Sequence, residues 1–464
     1  MKKFVNRHDE LKFLNKEYSK KNASLIVIYG RRRIGKTSLI KEFIKDKKSI
    51  YFLGTEESER ENIKSFQKLS GECIESDLLK GNNILSWEDI FTMITEHKKE
   101  EKKVIIIDEF QYICRTNKAF PSVFQKIWDN ILSDNNIMVI LCGSLISMME
   151  QLTLSYSSPL YGRRTGQIKM KQIKFNYYNE FFNNKTRDEL IQLYSITGGV
   201  PKYIELFEDM DNVFDAIEEN ILSKQSFLYE EPVFLLEKEV GEVGSYFSII
   251  KTIAAGNHKL GKIATDLGVN QSKLTKYLST LSNLDILERQ VPITESNPEK
   301  SKMGLYFIKD NFIEFWFKFI YPYRSYIEID DIEYVKKRIK DNFIHNHVSF
   351  KYEDICLEDL WFMSKQDKLP FRIMKAGRWW NNNDEIDIVA INEEEKSIIF
   401  GECKYLERAV DINIYYKLKD KSKSVKWNNS NRKEYFMIFS RNGFTKEIRQ
   451  LSKDLNGKLL LIEG

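Results

Sequence analysis

The chain is predicted to be an α/β protein in three parts: a parallel-sheet nucleotide-binding domain, a winged-helix module, and a closing α/β domain carrying an acidic hairpin. Three observations predict this. Gly30 to Thr37 reads Gly-Arg-Arg-Arg-Ile-Gly-Lys-Thr between the apolar run 25–29 and the helical pattern 38–44, the strand–loop–helix order that a phosphate loop requires. Between Gly241 and Ile308, three short helical patterns precede two strand patterns. Near the end, Asp387 and Glu402-Cys403-Lys404 lie on two strand patterns joined by an acidic turn.

Each part of the loop has a physical task. Gly30 and Gly35 let the backbone curl and present N–H groups to phosphate oxygens, and the following helix adds the positive end of its dipole. Lys36 is expected to reach the β- and γ-phosphates of ATP, and the Thr37 hydroxyl to ligate Mg2+. Ser38 completes the phosphate-binding stretch.

Length and composition set the bounds. At 464 residues the chain has room for two to four domains of about 100–200 residues each. A net charge of +4 neither demands nor excludes nucleic acid, because a local patch matters more than the sum. The five cysteines are scattered without metal-ligand spacing, as expected of reduced thiols in a cytoplasmic protein. The opening Met1-Lys2-Lys3-Phe4-Val5-Asn6-Arg7 lacks the apolar core of a signal peptide, and no stretch is long and apolar enough for a membrane span. The aromatic run from Phe312 to Tyr323 contains Glu314 and Lys318 and reads as a packing segment.

The remaining elements of the first domain follow in order. Residues 48–53 are a strand and 58–98 mostly helix. Val104 to Ile107 is a buried strand ending in Asp108-Glu109. Asp108 is expected to hold the magnesium shell, and Glu109 to polarise the attacking water. Residues 137–142 form a third strand ending at Gly143-Ser144, where Ser144 either senses the γ-phosphate or caps the next helix. Arg163 and Arg164 sit on a glycine-flanked turn, as an arginine finger in cis, one for a neighbour's ATP, or a solvated basic turn. Pro201 either presses on the adenine ring or breaks two helices.

Phe4-Val5-Asn6-Arg7, the arginine-rich loop, Asp108-Glu109-Phe110-Gln111, Gly143-Ser144, Tyr161-Gly162-Arg163-Arg164 and Gly199-Val200-Pro201 occur in that order. Together they resemble the predominantly archaeal ATPase family related to signal-transduction STAND ATPases and origin-recognition AAA+ proteins. The resemblance implies that Arg7 lies near the nucleotide, that Pro201 contacts the base, and that Arg163 or Arg164 acts at the phosphates. Asn6 departs from the glycine often found before the arginine.

In the middle, residues 245–254, 260–267 and 270–281 are the three helices of the winged-helix expectation, with Asn270 as a cap. Leu274, Tyr277, Leu278 and Leu281 recur at helical spacing, leaving Gln271, Ser272, Lys273, Thr275 and Lys276 as a polar face for a major groove. Residues 286–291 and 304–308 read as wing strands. Such a module binds DNA or serves as a packing and switching element.

The last domain opens with a helical stretch, 334–360, containing Glu353. A strand is expected over 371–374, then the two hairpin strands, a strand over 434–440, a helix over 445–455 and a strand over 458–462. Strand alternation points Glu402 and Lys404 to one side, where Asp387 of the neighbouring strand can face them. Two carboxylates beside a lysine suit a divalent-metal phosphodiester site, with Asp387 and Glu402 holding Mg2+ or Mn2+, Lys404 orienting water, and Glu353 completing the shell. This resembles the PD-(D/E)XK nuclease superfamily, with Ile386 where its proline usually stands, and the carboxy-terminal domain of unknown function fused to many of these archaeal-type ATPases. An amphipathic hairpin with solvated charges, or a nuclease fold that binds without cutting, are the alternatives. Lys417, Lys419, Lys421, Lys423 and Lys426 either track a phosphate backbone or line a solvated helix.

The expected domains are 1–165 (P-loop AAA+/STAND-like ATPase core), 166–238 (helical lid), 239–325 (winged helix) and 326–464 (restriction-endonuclease-like). The expected function is ATP-regulated DNA binding and cleavage in the cytoplasm. The rivals are a non-cleaving STAND-type switch or scaffold with a protein partner, and a DNA-remodelling ATPase that assembles as a homo-oligomer.

Overall fold

The computed structural model describes residues 4–210 and 212–464. Met1 to Lys3, part of the leader-free start expected above, lie outside the described residues. The chain divides into two compact units: Met1–Gln172 with Val200–Lys202 and Glu237–Val240, and Ile173–Gly199 with Tyr203–Leu236 and Gly241–Gly464.

The first unit is built on helix α1 (His8–Tyr18), strand β1 (Ser24–Tyr29), helix α2 (Lys36–Ile44) and strands β2 (Ser49–Leu53), β3 (Lys103–Asp108), β4 (Ile137–Gly143) and β5 (Gly166–Lys169). The strands form one sheet in the order β2-β3-β4-β1-β5, every neighbouring pair parallel. β1, β3 and β4 are buried at every position. That is why they read as continuous apolar runs rather than as alternating ones. Ile26, Ile28, Ile106 and Ile140 pack with Leu39, Ile40 and Phe43 of α2, which fixes the helix behind the phosphate loop. β5 closes the sheet against β1, so the boundary expected after Thr165 cuts a strand away from its own sheet.

The second unit begins with α3 (Arg187–Thr197), started by a capping box between Thr186 and Glu189. Next comes α4 (Glu231–Glu239), whose last turn counts with the first unit. Helices α5 (Val243–Ala254), α6 (Leu260–Leu267) and α7 (Gln271–Asn283) precede the antiparallel pair β6 (Leu287–Gln290) and β7 (Leu305–Ile308). The Asn270 side chain caps α7 by accepting the Lys273 N–H at 2.8 Å. Leu274, Leu278 and Leu281 are buried, while Gln271, Ser272, Lys273, Thr275 and Lys276 are exposed, which is the two-faced pattern expected. The aromatic run becomes α8 (Asn311–Phe319), buried at most positions. Among the described residues no helix is long and apolar enough to cross a membrane.

The rest of this unit is α9 (Ser349–Lys365), β8 (Lys375–Trp380), β9 (Glu385–Asn392), β10 (Ser397–Lys404), α10 (Ile412–Ser422), β11 (Lys433–Ser440), α11 (Lys446–Asp454) and β12 (Leu459–Glu463). The sheet order is β12-β11-β10-β9-β8, with β8, β9 and β10 antiparallel and β10, β11 and β12 parallel. The strand expected over 371–374 is displaced: the paired residues are Lys375 to Trp380. A register shift between Gly377 and Trp379 lets this strand follow β9 despite its glycine, and Met374 just before it donates its N–H to the Ile391 carbonyl at 3.0 Å.

Candidate functional site

The phosphate loop leaves β1 at Gly30, where a Cβ would lie 2.7 Å from the Met170 carbonyl oxygen, so only glycine fits. Gly35 has φ +93° and caps α2, and its missing Cβ would lie 3.7 Å from Cγ of Pro201. Pro201 thus sits over the loop glycine rather than merely separating two helices. Lys36 is buried, and its ammonium donates to the Gly30 carbonyl at 2.8 Å and the Arg31 carbonyl at 2.9 Å. Burial lowers its pKa. Thr37 donates to Asp108 Oδ2 at 3.3 Å, and the Tyr51 hydroxyl donates to the same oxygen. Ser38 lies exposed one residue further along α2.

Glu109 follows Asp108 in a left-handed conformation, φ 51°, unusual for a residue with a side chain and typical of functional positions. Its carboxylate accepts the Ser144 hydroxyl at 2.7 Å and the Gln111 amide, which also reaches Ser144 Oγ at 3.4 Å. The helix Ile146–Met149 has no side-chain cap, so the Ser144 hydroxyl serves Glu109 instead. Arg7, itself left-handed at φ 74°, donates to the Ile34 carbonyl at 3.2 Å and the Lys171 carbonyl at 2.6 Å. It clamps the loop from behind.

Arg163 and Arg164 are not brought to these phosphate-binding groups. Thr165 N–H donates to the Leu25 carbonyl at 2.8 Å, and Gly166 pairs with Ile26, so the arginines lie at the start of β1. The loop leaves the other end of that strand, roughly 15 Å away at the usual rise per residue. Arg163 is held there by two 2.8 Å hydrogen bonds to Asp129. The finger in cis is therefore corrected: parallel pairing of β5 with β1 carries the turn to the opposite edge.

Sequence reasoning missed three groups at this site. Tyr51 and Gln111 grip the two acidic residues. Glu239, at the end of α4, accepts the Ile146 N–H, and the charges of Arg31, Arg32 and Lys36 act on it. Burial pushes its carboxyl up to about 7. Nothing in its neighbourhood of the sequence marks it.

In the second unit the hairpin register pairs Gly401 with Ile388, so the next opposed positions are Glu402 and Asp387. Asp387 Oδ2 accepts the Cys403 N–H at 2.8 Å. Burial and then the Glu402 charge hold the Asp387 carboxyl well above the ordinary range, and burial and then Asp387 do the same to Glu353. Lys404 Nζ lies 2.6 Å from Glu402 Oε1, and Lys421 Nζ 3.4 Å from Glu402 Oε2. Arg378 is ion-paired with Glu353.

Among the described residues no three His, Cys, Asp or Glu side chains are gathered to hold a metal ion. The expected shell with Glu353 as its third member is therefore not assembled. Arg378 draws Glu353 off, and lysines occupy Glu402. The opposed pair Asp387 and Glu402 still fits a small hard cation, since Mg2+ keeps several waters and binds through one or two carboxylates. At the loop, Thr37 and Asp108 supply the same hard oxygen donors for Mg2+ beside a turn whose two glycines, Gly30 and Gly35, leave room at its ends, which fits a nucleotide phosphate.

Comparison with known proteins agrees with the first of these sites. Residues 4–207 match the family model described as an ATPase domain predominantly from Archaea, and residues 316–435 match one for archaeal and bacterial proteins of unknown function. An ATP-binding protein of Methanocaldococcus jannaschii is 56% identical over 45 residues, 10% of this chain and 76% of its own. The Walker-type ATPase of Pyrococcus abyssi shares the fold with a TM-score of 0.52 at 18% identity, over 68% of this chain and 96% of its own. An uncharacterised protein of Methanocaldococcus jannaschii is 40% identical over 426 residues, which is 91% of this chain and 92% of that one. The chain belongs to one family with that Methanocaldococcus protein, and its amino-terminal part is an archaeal-type ATPase domain.

Proposed function

We propose that this ATPase also binds DNA and cleaves it with a divalent-metal site under nucleotide control. The observation that carries the cleavage is the opposition of Asp387 and Glu402 across the hairpin, with Lys404 on Glu402. Residues 239–325 act as a winged-helix module and residues 326–464 as a PD-(D/E)XK-like, restriction-endonuclease-like domain. DNA contact falls to the exposed polar face of α7 together with Lys300 and Lys302 between the wing strands. Arg289 supports that loop by donating to the Pro298 carbonyl at 2.8 Å and the Ser301 carbonyl at 2.6 Å.

At the loop, Lys36 turns from its two carbonyls to the β- and γ-phosphates, while Thr37 and Asp108 hold Mg2+. Glu109 then orients the attacking water, with Ser144 and Gln111 fixing its carboxylate. Arg163 and Arg164, remote from their own loop, serve the phosphates of another copy of the chain. At the hairpin a divalent ion, Mg2+ or Mn2+, supplies a Lewis acid for phosphate oxygens and water. Asp387 and Glu402 would hold it, and Lys404 would orient the water whose oxygen forms the new bond to phosphorus. That water gives up a proton to solvent as the ester P–O bond breaks, and the departing oxygen takes up a proton from solvent.

One observation favours a second reading, a switch that does not cut. Glu353 and Glu402 are each ion-paired to a basic side chain, which equally describes a structural charge network. The test is incubation of the whole chain with single- and double-stranded DNA, with and without ATP and Mg2+ or Mn2+. Divalent-dependent cuts lost in Asp387→Asn are expected. No cutting by the wild type under any condition leaves the switch, and cutting indifferent to ATP removes nucleotide control.

A further inference from the structure

Of the five lysines spaced along and just past α10, four are exposed and Lys421 alone is half-buried. It sits in the last turn of the helix and turns inward, 3.4 Å from Glu402 Oε2, while Lys404 takes Oε1 at 2.6 Å. The carboxylate that would hold a metal is thus gripped at both oxygens, by one lysine from its own strand and one from a different element. Lys404 is set by strand alternation. Lys421 is not, and a long flexible stem carrying a compact charge can move without disturbing the sheet.

We infer that Lys421 is a further working residue of the hairpin site: it occupies Glu402 in the absence of metal and passes to a non-bridging oxygen of the phosphodiester when a divalent cation takes its place. The inference rests on the cleaving reading above. Charge counting supports it. One carboxylate, Glu402, meets two ammonium groups, Lys404 and Lys421. A dication at Glu402 adds to the positive charge already gathered there, and a phosphodiester anion offsets it. Metal and nucleic acid therefore bind with mutual help, and Lys421 is the group free to change partners.

The two halves of this exchange give effects of opposite sign. In Lys421→Met a competitor for Glu402 is gone, so Mn2+ binding to the whole chain without DNA, measured by calorimetry, tightens by about tenfold. Cleavage of a DNA duplex at saturating Mn2+ falls by about tenfold to hundredfold, because the phosphate loses a cation. Lys421→Arg restores most of the cleavage. If Lys421→Met weakens Mn2+ binding along with cleavage, the lysine merely supports the fold and the inference falls. If the wild type binds Mn2+ and cuts while Lys421→Met does both equally well, the inference alone falls. A wild type that fails to cut overturns the cleaving reading and the inference with it.

Discussion

The phosphate loop and the acidic hairpin hold their working charges in opposite ways. At the loop, the cation that matters is held by neutral groups, since Lys36 rests on two backbone carbonyls. Carbonyls give up an ammonium readily when a triphosphate offers full charges. At the hairpin, Glu402 is held by formal charges, Lys404 and Lys421. On the proposed cleaving reading, a metal ion would have to displace these before binding. The first site is ready for its ligand, whereas the second is latched by its own chain. An acidic site is costly to leave unpaired when buried, and backbone carbonyls cannot neutralise it as they can steady an ammonium.

This contrast is easiest to break at its ends. Lys36→Ala removes the ammonium that rests on the loop carbonyls and should lower ATP binding and phosphate release by at least about a hundredfold, with Mn2+ binding at the hairpin unchanged. Loss of both would mean the two sites are not chemically separate. Asp387→Asn should weaken Mn2+ binding by about tenfold to hundredfold while ATP binding stays, as read by calorimetry on the whole chain. Glu239→Gln sharpens the comparison, because Glu239 is a buried acid on which the loop cations Arg31, Arg32 and Lys36 act. A carboxylate there repels incoming phosphate, so its removal should tighten ATP binding by about tenfold, the equivalent of about 1.4 kcal/mol. Unchanged affinity would make the loop as free as its carbonyl contacts suggest.

The smallest effect concerns His347, buried between Phe315, Phe319 and Phe343 and bonded through Nε2 to the Ser195 carbonyl at 2.7 Å. Burial lowers its pKa from 6.5 to about 3. The unfolded chain therefore takes up a proton below 6.5 that the folded chain refuses. The stability contributed by the neutral ring is full above pH 6.5 and drains away as pH falls toward 3. Urea midpoints of the wild type should fall across that window, and those of His347→Gln should fall less.

Much of the nucleotide site was legible because its chemistry is local. Gly30 to Thr37 is contiguous, and Asp108-Glu109 ends an unmistakably buried strand. The hairpin acids were legible for a related reason: alternation within Glu402-Cys403-Lys404 needs only two residues of regular strand. What escaped depends on contacts distant in sequence. Glu239 carries no local mark, and Lys421 looked like any other member of a basic run. The remote position of Arg163 and Arg164 follows from which neighbour β5 chooses, and turn chemistry cannot reveal that. The strand before Trp380 was expected over 371–374, whereas the ladder pairs Lys375 to Trp380 and passes Gly377 with a register shift.

The alternation of the chain between its two compact units bears on how the protein is made. Val200–Lys202 and Glu237–Val240 return to the ATPase unit, so the backbone changes unit five times rather than once. Asp188, early in the second unit, finds its bidentate partner in Arg441 at 2.5 and 2.8 Å, near the end of the polypeptide. During synthesis the first sheet has all its strands once Lys169 has emerged, but the segment that follows waits for nearly the whole remaining chain. A ribosome stalled midway would hold a finished nucleotide cradle tethered to an unpartnered stretch, the stage at which such a molecule most needs shelter from aggregation.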